Sequence, residues 1–198
     1  MSPRAARTDR RVERTRQLIR AAFRSLLEEK GYETLTVQDI IDRANVGRAT
    51  FYAHFDNKEE LFASGFDELR ASLKARQRAA LARGGDIGDR IFGFSEEMFL
   101  HADEYRRVFH AMIGKQSGLV VRRLLQKLLV DLVRDDVKAA SERAATSAAT
   151  IDGVAQFIAG GLFGLLVWWL NASPRLSAAE VNALFRRLAM PALAAAVK

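Results

Sequence analysis

The chain has 198 residues, 49% of them hydrophobic, which is enough to bury a core in one domain or in a small and a larger one. It holds no cysteine, so disulfides and zinc-finger frameworks are excluded, and a reducing cytoplasm is the natural setting. The formal net charge is +7, and residues 1–30 carry nine Arg or Lys against four acids, which concentrates positive charge at one end.

Abundant Ala, Leu, Arg and Glu with only three prolines point to an all-α protein. No signal peptide is expected, since the N-terminus is polar and basic with no apolar segment. Met1 to Thr8 reads as a mobile arm whose Arg4 and Arg7 could reach a DNA backbone or minor groove. From Asp9 a helical pattern places Val12, Ile19, Ala22, Phe23, Leu26 and Leu27 inward, and Gly31 ends it.

Thr36 to Leu61 is the most informative stretch. Thr36 is a candidate N-cap, with Asp39 three residues on and Val37, Ile40, Ile41 and Ala44 at helical spacing. Asn45 suits the left-handed residue that ends a helix, and Val46 is an apolar plug for the turn. Gly47 then opens a second helix from Arg48 to Phe55. Two short helices joined by a tight turn are a helix-turn-helix, in which the first turns of the second helix read base edges in the major groove. Those turns carry Arg48, Thr50 and Tyr52, with donors for bases, and Ala49, whose methyl can meet a thymine methyl. His54 and Lys58 suit phosphates, while Phe51 and Phe55 face inward.

In this stretch the chain resembles the TetR family of bacterial transcriptional regulators. Thr36, Ile40, Ala44, Val46, Thr50, Phe51, Tyr52, His54, Phe55, Lys58 and Leu61 match that family's signature. Asn45 and Ala49 stand where the signature has Gly, and Gly47 where it has Ser. Ala49 lies on the groove-facing surface, so it bears on operator sequence and not on DNA binding itself. The resemblance implies DNA-binding residues at Thr36, Arg48, Ala49, Thr50, Tyr52, His54 and Lys58. It also implies a cytoplasmic homodimer that represses transcription from a palindromic double-stranded DNA operator and is released by a small-molecule effector. The expected division is residues 1–58 as arm and DNA-binding domain, and 59–198 as a helical effector-binding and dimerisation domain. A DNA-binding architectural or activating protein without an effector is the alternative.

Beyond the motif, Asn57 with Glu60 reads as a capping box for a helix to about Leu81. A fifth helix is expected from Asp86 or Asp89 to His101 and a sixth from Asp103 to Gly114. After Gly118 a seventh is expected to reach Ala140, with Leu125, Leu128, Leu129, Leu132 and Val133 inward and Asp135 and Asp136 outward. Residues 139–150, rich in Ala, Ser and Thr, read as a loop or a frayed helix end. Residues 151–170 are the most apolar run, but the uninterrupted part from Phe157 to Leu170 is shorter than the roughly 20 residues a bilayer requires. A fully buried core helix is therefore expected, and no membrane partner. Ser177 with Glu180 caps a last helix, which Pro191 is expected to kink.

Phe92, Phe99, Phe109, Met112 and Phe157 are candidates for an effector pocket, as large apolar residues in the later helices. Gly160, Gly164, Trp168 and Phe185 are candidates for a dimer interface, the glycines permitting close helix approach. His54, His101 and His110 form no i, i+4 pair, and no glycine-rich phosphate loop appears, so neither a metal, a cofactor nor enzymatic activity is expected.

Overall fold

The computed structural model describes residues 3–113, 117–141, 146–173 and 176–196, with side chains from 11 to 109 and from 121 onward within those segments. All the described regular elements are helical. They run as α1 (Pro3–Lys30), α2 (Val37–Ala44), α3 (Arg48–Tyr52), α4 (Lys58–Leu81), α5 (Ile87–Arg90), α6 (Ser95–Glu104), α7 (Arg106–Ile113), α8 (Ser117–Ser141), α9 (Ala148–Asn171) and α10 (Ala178–Ala196). The chain divides into two compact units, residues 1–68 with 107–119, and residues 69–106 with 120–198.

Helix α1 begins at Pro3, so the expected mobile arm is helical from its third residue. Proline at a first helical position has its φ pre-set and loses no intrahelical bond, and the Ala and Arg that follow are strong helix formers. The inward stripe is Ile19, Ala22, Phe23, Leu26 and Leu27, all buried, whereas Val12 is exposed. These side chains join Leu35, Ile40, Ile41, Phe51, Phe55 and Leu61 in the first unit's core. Tyr32, Val37, Ala44 and Val46 pack against it from the edges.

The second unit is organised by three apolar faces. On α8, Leu125, Leu128, Leu129, Leu132 and Val133 are buried as expected and Val121 with them, but so is Asp136, whose charge implied an outward position. Helix α10 packs on α9 and α6 through Val181, Phe185, Ala189 and Leu193, and it continues past Pro191 to Ala196. The helix expected from about residue 86 to His101 is broken in two. Ile91 leaves the helical conformation, and Phe92 adopts φ 60. Gly93 then lies so close to α4 that a Cβ there would sit 2.2 Å from that of Ala80, which only glycine allows. The next interruption falls at Tyr105, two residues after the expected restart.

Helix α9 departs from the expectation of complete burial. By length and composition alone it could cross a membrane. One side, Ala155, Ile158, Ala159, Leu162, Leu166, Trp169 and Leu170, is buried within the second unit. The other side exposes Phe157, Gly160, Gly161, Gly164 and Trp168. A helix that is apolar all round carries no polar stripe to mark its outer face, so periodicity could not separate the two.

Candidate nucleic-acid interface

Local chemistry fixes the two helices of the reader. Thr36 is extended at φ −107, and its hydroxyl accepts the Asp39 N–H, while the Asp39 carboxylate accepts the Thr36 N–H at 2.9 Å. This reciprocal pair is a capping box that satisfies orphan donors at the start of α2. The Asp39 carboxyl is held far below its ordinary value, first by Lys30 at 2.7 Å and then by Thr36. Asn45 ends α2 at φ 51, and its N–H returns to carbonyls of the last turn. Gly47 opens α3 in an extended conformation without a side-chain cap.

Helix α3 is short, ending at Tyr52 where the sequence suggested Phe55, although backbone bonds from Ala53 and Phe55 continue its turns. Phe51 and Phe55 are completely buried and root it in the core. The opposite edge is open: Arg48, Ala49 and Tyr52 are exposed, and Thr50 and His54 half-buried. Tyr52 stands edge-on to Phe51 at 5.4 Å, so its ring is braced from beneath. Arg48, Ala49 and Tyr52 are therefore open to solvent, and Thr50 partly so. Thr36 differs, since its hydroxyl is committed to the cap.

Helix α2 is clamped to α1 by paired charges. Arg43 reaches both carboxylate oxygens of Glu29 at 2.7 Å and the Ser25 hydroxyl at 2.7 Å. The Ser25 hydroxyl in turn donates to Glu29 at 3.0 Å, and the bonds from Arg43 first and Ser25 second lower the Glu29 carboxyl to about 2. Arg20 bonds Glu68, and the Arg16 guanidinium lies 5.2 Å from the Phe55 ring centre. Part of the basic charge read from the sequence is thus structural.

Lys58 is turned inward. Its ammonium donates to the carbonyls of Tyr32 at 3.2 Å and Leu35 at 3.0 Å, and lies 4.6 Å from the Tyr32 ring centre. Sequence spacing gave no sign of this, because it requires the Tyr32–Leu35 loop to pass beneath the first turn of α4.

The other candidates fall in several places. Phe92 and Phe99 are fully buried, Phe92 against Phe185 at 5.3 Å and Phe99 against Trp169 at 5.6 Å. Phe109 belongs to the first unit, and Phe157 is 71% exposed. Met112 lies in α7, with its side chain outside the described residues. A cleft of about 390 Å³ opens in the second unit with Phe92 in its wall, where Arg76, Arg83, Glu97, Asn182 and Arg186 stand beside Ala79, Ala80 and Leu100, so charged and apolar groups share the lining. Gly160, Gly164 and Trp168 share the outer face of α9. Phe185 does not join them. It falls on the stripe with Val181 and Ala189 that packs into the unit's own core, so its candidacy as an interface residue is corrected.

An all-helical chain with a capped two-helix reader, exposing a polar edge over buried aromatics, is a helix-turn-helix DNA-binding protein. The family model described as bacterial regulatory proteins, tetR family, matches residues 18–64, and that of a transcriptional regulator C-terminal region matches residues 89–190. The chain belongs to the TetR family of transcriptional regulators. It is 52% identical over 54 residues to an uncharacterized helix-turn-helix regulator of Bacillus subtilis, covering 27% of this chain and 14% of that one. The chain spans about half the length, or less, of the curated relatives it matches. Among solved structures, a TetR-family protein of Syntrophomonas wolfei superposes with TM-score 0.77 at 16% identity, covering 92% of this chain and 96% of that one. Thermus thermophilus FadR, a TetR-family repressor in complex with lauroyl-CoA, superposes with TM-score 0.64 at 20% identity, covering 88% and 93%. These two likenesses establish shared fold alone.

Proposed function

We propose that this regulator is a homodimeric repressor that holds a palindromic operator and releases it when a small effector binds. The observation that carries the DNA half is the open edge of α3, with Arg48, Thr50 and Tyr52 above a completely buried Phe51. Arg48 donates to a guanine edge or its neighbour, Thr50 and Tyr52 to bases or phosphates, and Ala49 meets a thymine methyl. His54 lies at the end of that edge and serves the backbone. Functionally, residues 1–58 read DNA, and residues 59–198 sense and dimerise, in the cytoplasm.

Dimerisation rests on α9. Each glycine inside a helix costs roughly 1 kcal/mol relative to alanine. At Gly160, Gly161 and Gly164 an added Cβ would meet nothing within 4 Å, so the chain's own packing does not call for them. Together with exposed Phe157, Trp168 and, on α10, Leu188, they suit an apolar interface with a second copy. The effector half is supported by the family and by the lauroyl-CoA held by the Thermus relative. The full burial of Phe92 and Phe99 favours a second reading, a regulator without an effector. Operator affinity measured with and without acyl-CoA thioesters of graded chain length separates the two. Unchanged affinity across that series, and across a broader set of apolar small molecules, would leave the second.

A further inference from the structure

We infer that Lys58 is a positioning residue for the DNA reader, the centre of a clasp that ties the first turn of α4 to the loop before α2. The inference rests on the reading of α3 as the groove helix. An ammonium has three protons, and two of them are directed to the carbonyls of Tyr32 and Leu35. The positive charge also faces the Tyr32 ring at 4.6 Å, within the range of a cation–π contact. The side chain is half-buried, and its charge is satisfied by the protein itself.

The neighbours extend the clasp. The Tyr32 hydroxyl donates to Glu59 at 3.0 Å, so the same tyrosine is held by two consecutive residues of α4. Burial and the Glu59 carboxylate, in that order, push the Tyr32 hydroxyl far above its ordinary value, so it stays a donor at every working pH. The ring packs against Phe62 at 5.4 Å and edge-on to Phe23 at 6.5 Å. Leu35 is buried, and the residue after it is Thr36, the N-cap of α2. Lys58 thus joins the start of α4 to the residue that sets where the reader begins. A shift of α4's first turn must break these bonds or carry Leu35 and Thr36 with it. Asn57 fixes the same turn by accepting the Glu60 N–H at 2.7 Å.

A clasp and a phosphate contact respond differently to salt. A lost phosphate contact makes the slope of log K against log salt shallower by about 0.9. A lost positioning residue lowers affinity and leaves the slope unchanged. The probes are a duplex selected from a random pool by the wild-type protein and an unselected random duplex, both titrated from 50 to 300 mM salt (about two Debye regimes). Binding of the selected duplex by the wild type tests the groove-helix reading, and the variants test the clasp. Lys58→Met, which keeps the stem and removes the ammonium, is expected to weaken the selected duplex about tenfold, the factor carried by a charged hydrogen bond, with slope unchanged. A shallower slope, or unchanged affinity, overturns the inference. Glu59→Ala provides a second arm that does not depend on how Lys58→Met folds. Removing an acid beside DNA tightens binding if charge alone matters, whereas loss of the clasp weakens the selected duplex several-fold. Tighter binding by Glu59→Ala would also overturn it.

Discussion

The backbone N–H of Phe92 donates to the Asp136 carboxylate at 2.9 Å, and that bond pins a phenylalanine in the left-handed region at φ 60. Such a φ is uncommon outside glycine, and it persists here because several contacts hold it. The Ser95 hydroxyl lies 2.7 Å from the Phe92 carbonyl and 2.6 Å from Asn182 Oδ1, donating its one proton to either, while Arg186 donates to the carbonyls of Ile91 and Gly88. The other Asp136 oxygen is buried without a hydrogen-bond partner. Burial pushes the Asp136 carboxyl up from 3.8 to about 7, with Asp135 adding to the rise, against the opposing pull of Gln77, the Phe92 N–H and Arg186. The folded state therefore binds this proton more tightly than the unfolded chain. The associated stability is fully present below about pH 4 and is lost as pH rises through about 7. Asp136→Asn keeps an oxygen for Phe92 and removes the titration. Between pH 5 and 8 it should lose about 2–3 kcal/mol less stability than the wild type, read as a smaller fall in melting temperature. Parallel pH profiles would show that Asp136 does not titrate there.

Thr36 is a structural residue before it is a contact. Its hydroxyl caps α2 through the Asp39 N–H, so Thr36→Ala should cost about 1 kcal/mol of stability in the first unit, and Thr36→Ser should restore most of it. Chemical denaturation of the three proteins measures this. Equal stability of the alanine variant and wild type would show that the cap is energetically silent.

Arg48 is exposed at the front of α3. Arg48→Ala should cost roughly 1–3 kcal/mol on a selected duplex and much less on random DNA, because a bidentate base contact is made only to the right sequence. Competition binding with both duplexes gives the ratio. Equal losses on the two would assign Arg48 to the phosphate backbone.

Gly164 offers a clean separation of folding from assembly. A Cβ there meets nothing within 4 Å of its own chain, so Gly164→Leu should fold as stably as wild type or slightly more so. In a dimer formed through the outer face of α9, the same side chain prevents close approach. Sedimentation of the variant should show a monomer where wild type sediments as a dimer. A dimer of unaltered affinity would move the interface elsewhere.

The reader was the part most legible in the sequence, because its signals are local. Thr36 with Asp39, Asn45 in the left-handed turn, and Phe51 and Phe55 one turn apart each report on backbone within a few residues. What escaped depends on contacts distant in the chain. Asp136 has the spacing of the buried stripe, three and four residues after Val133 and Leu132, but its charge argued for the outside. Its partners, the Phe92 N–H 44 positions away foremost among them, are distant in the chain. Phe185 and Leu188 are both apolar and three residues apart on α10, yet one is buried and the other 62% exposed. Nothing short of the packing of α10 on α9 and α6 separates them. The spacing of Lys58 suggested a phosphate contact and gave no sign of its inward turn, since Tyr32 and Leu35 lie more than twenty positions earlier.

The most direct measurement is selection of duplexes from a random pool by the wild-type chain, followed by the stoichiometry of the selected complex. A dimer of helix-turn-helix readers should enrich an inverted repeat whose half-sites lie about 34 Å apart, or a multiple of it, bound by two copies or a multiple of two. Enrichment should vanish with Arg48→Ala. An asymmetric site held by a single copy, or a pool that stays random, would contradict the proposal that this chain recognises a palindromic operator as a homodimer.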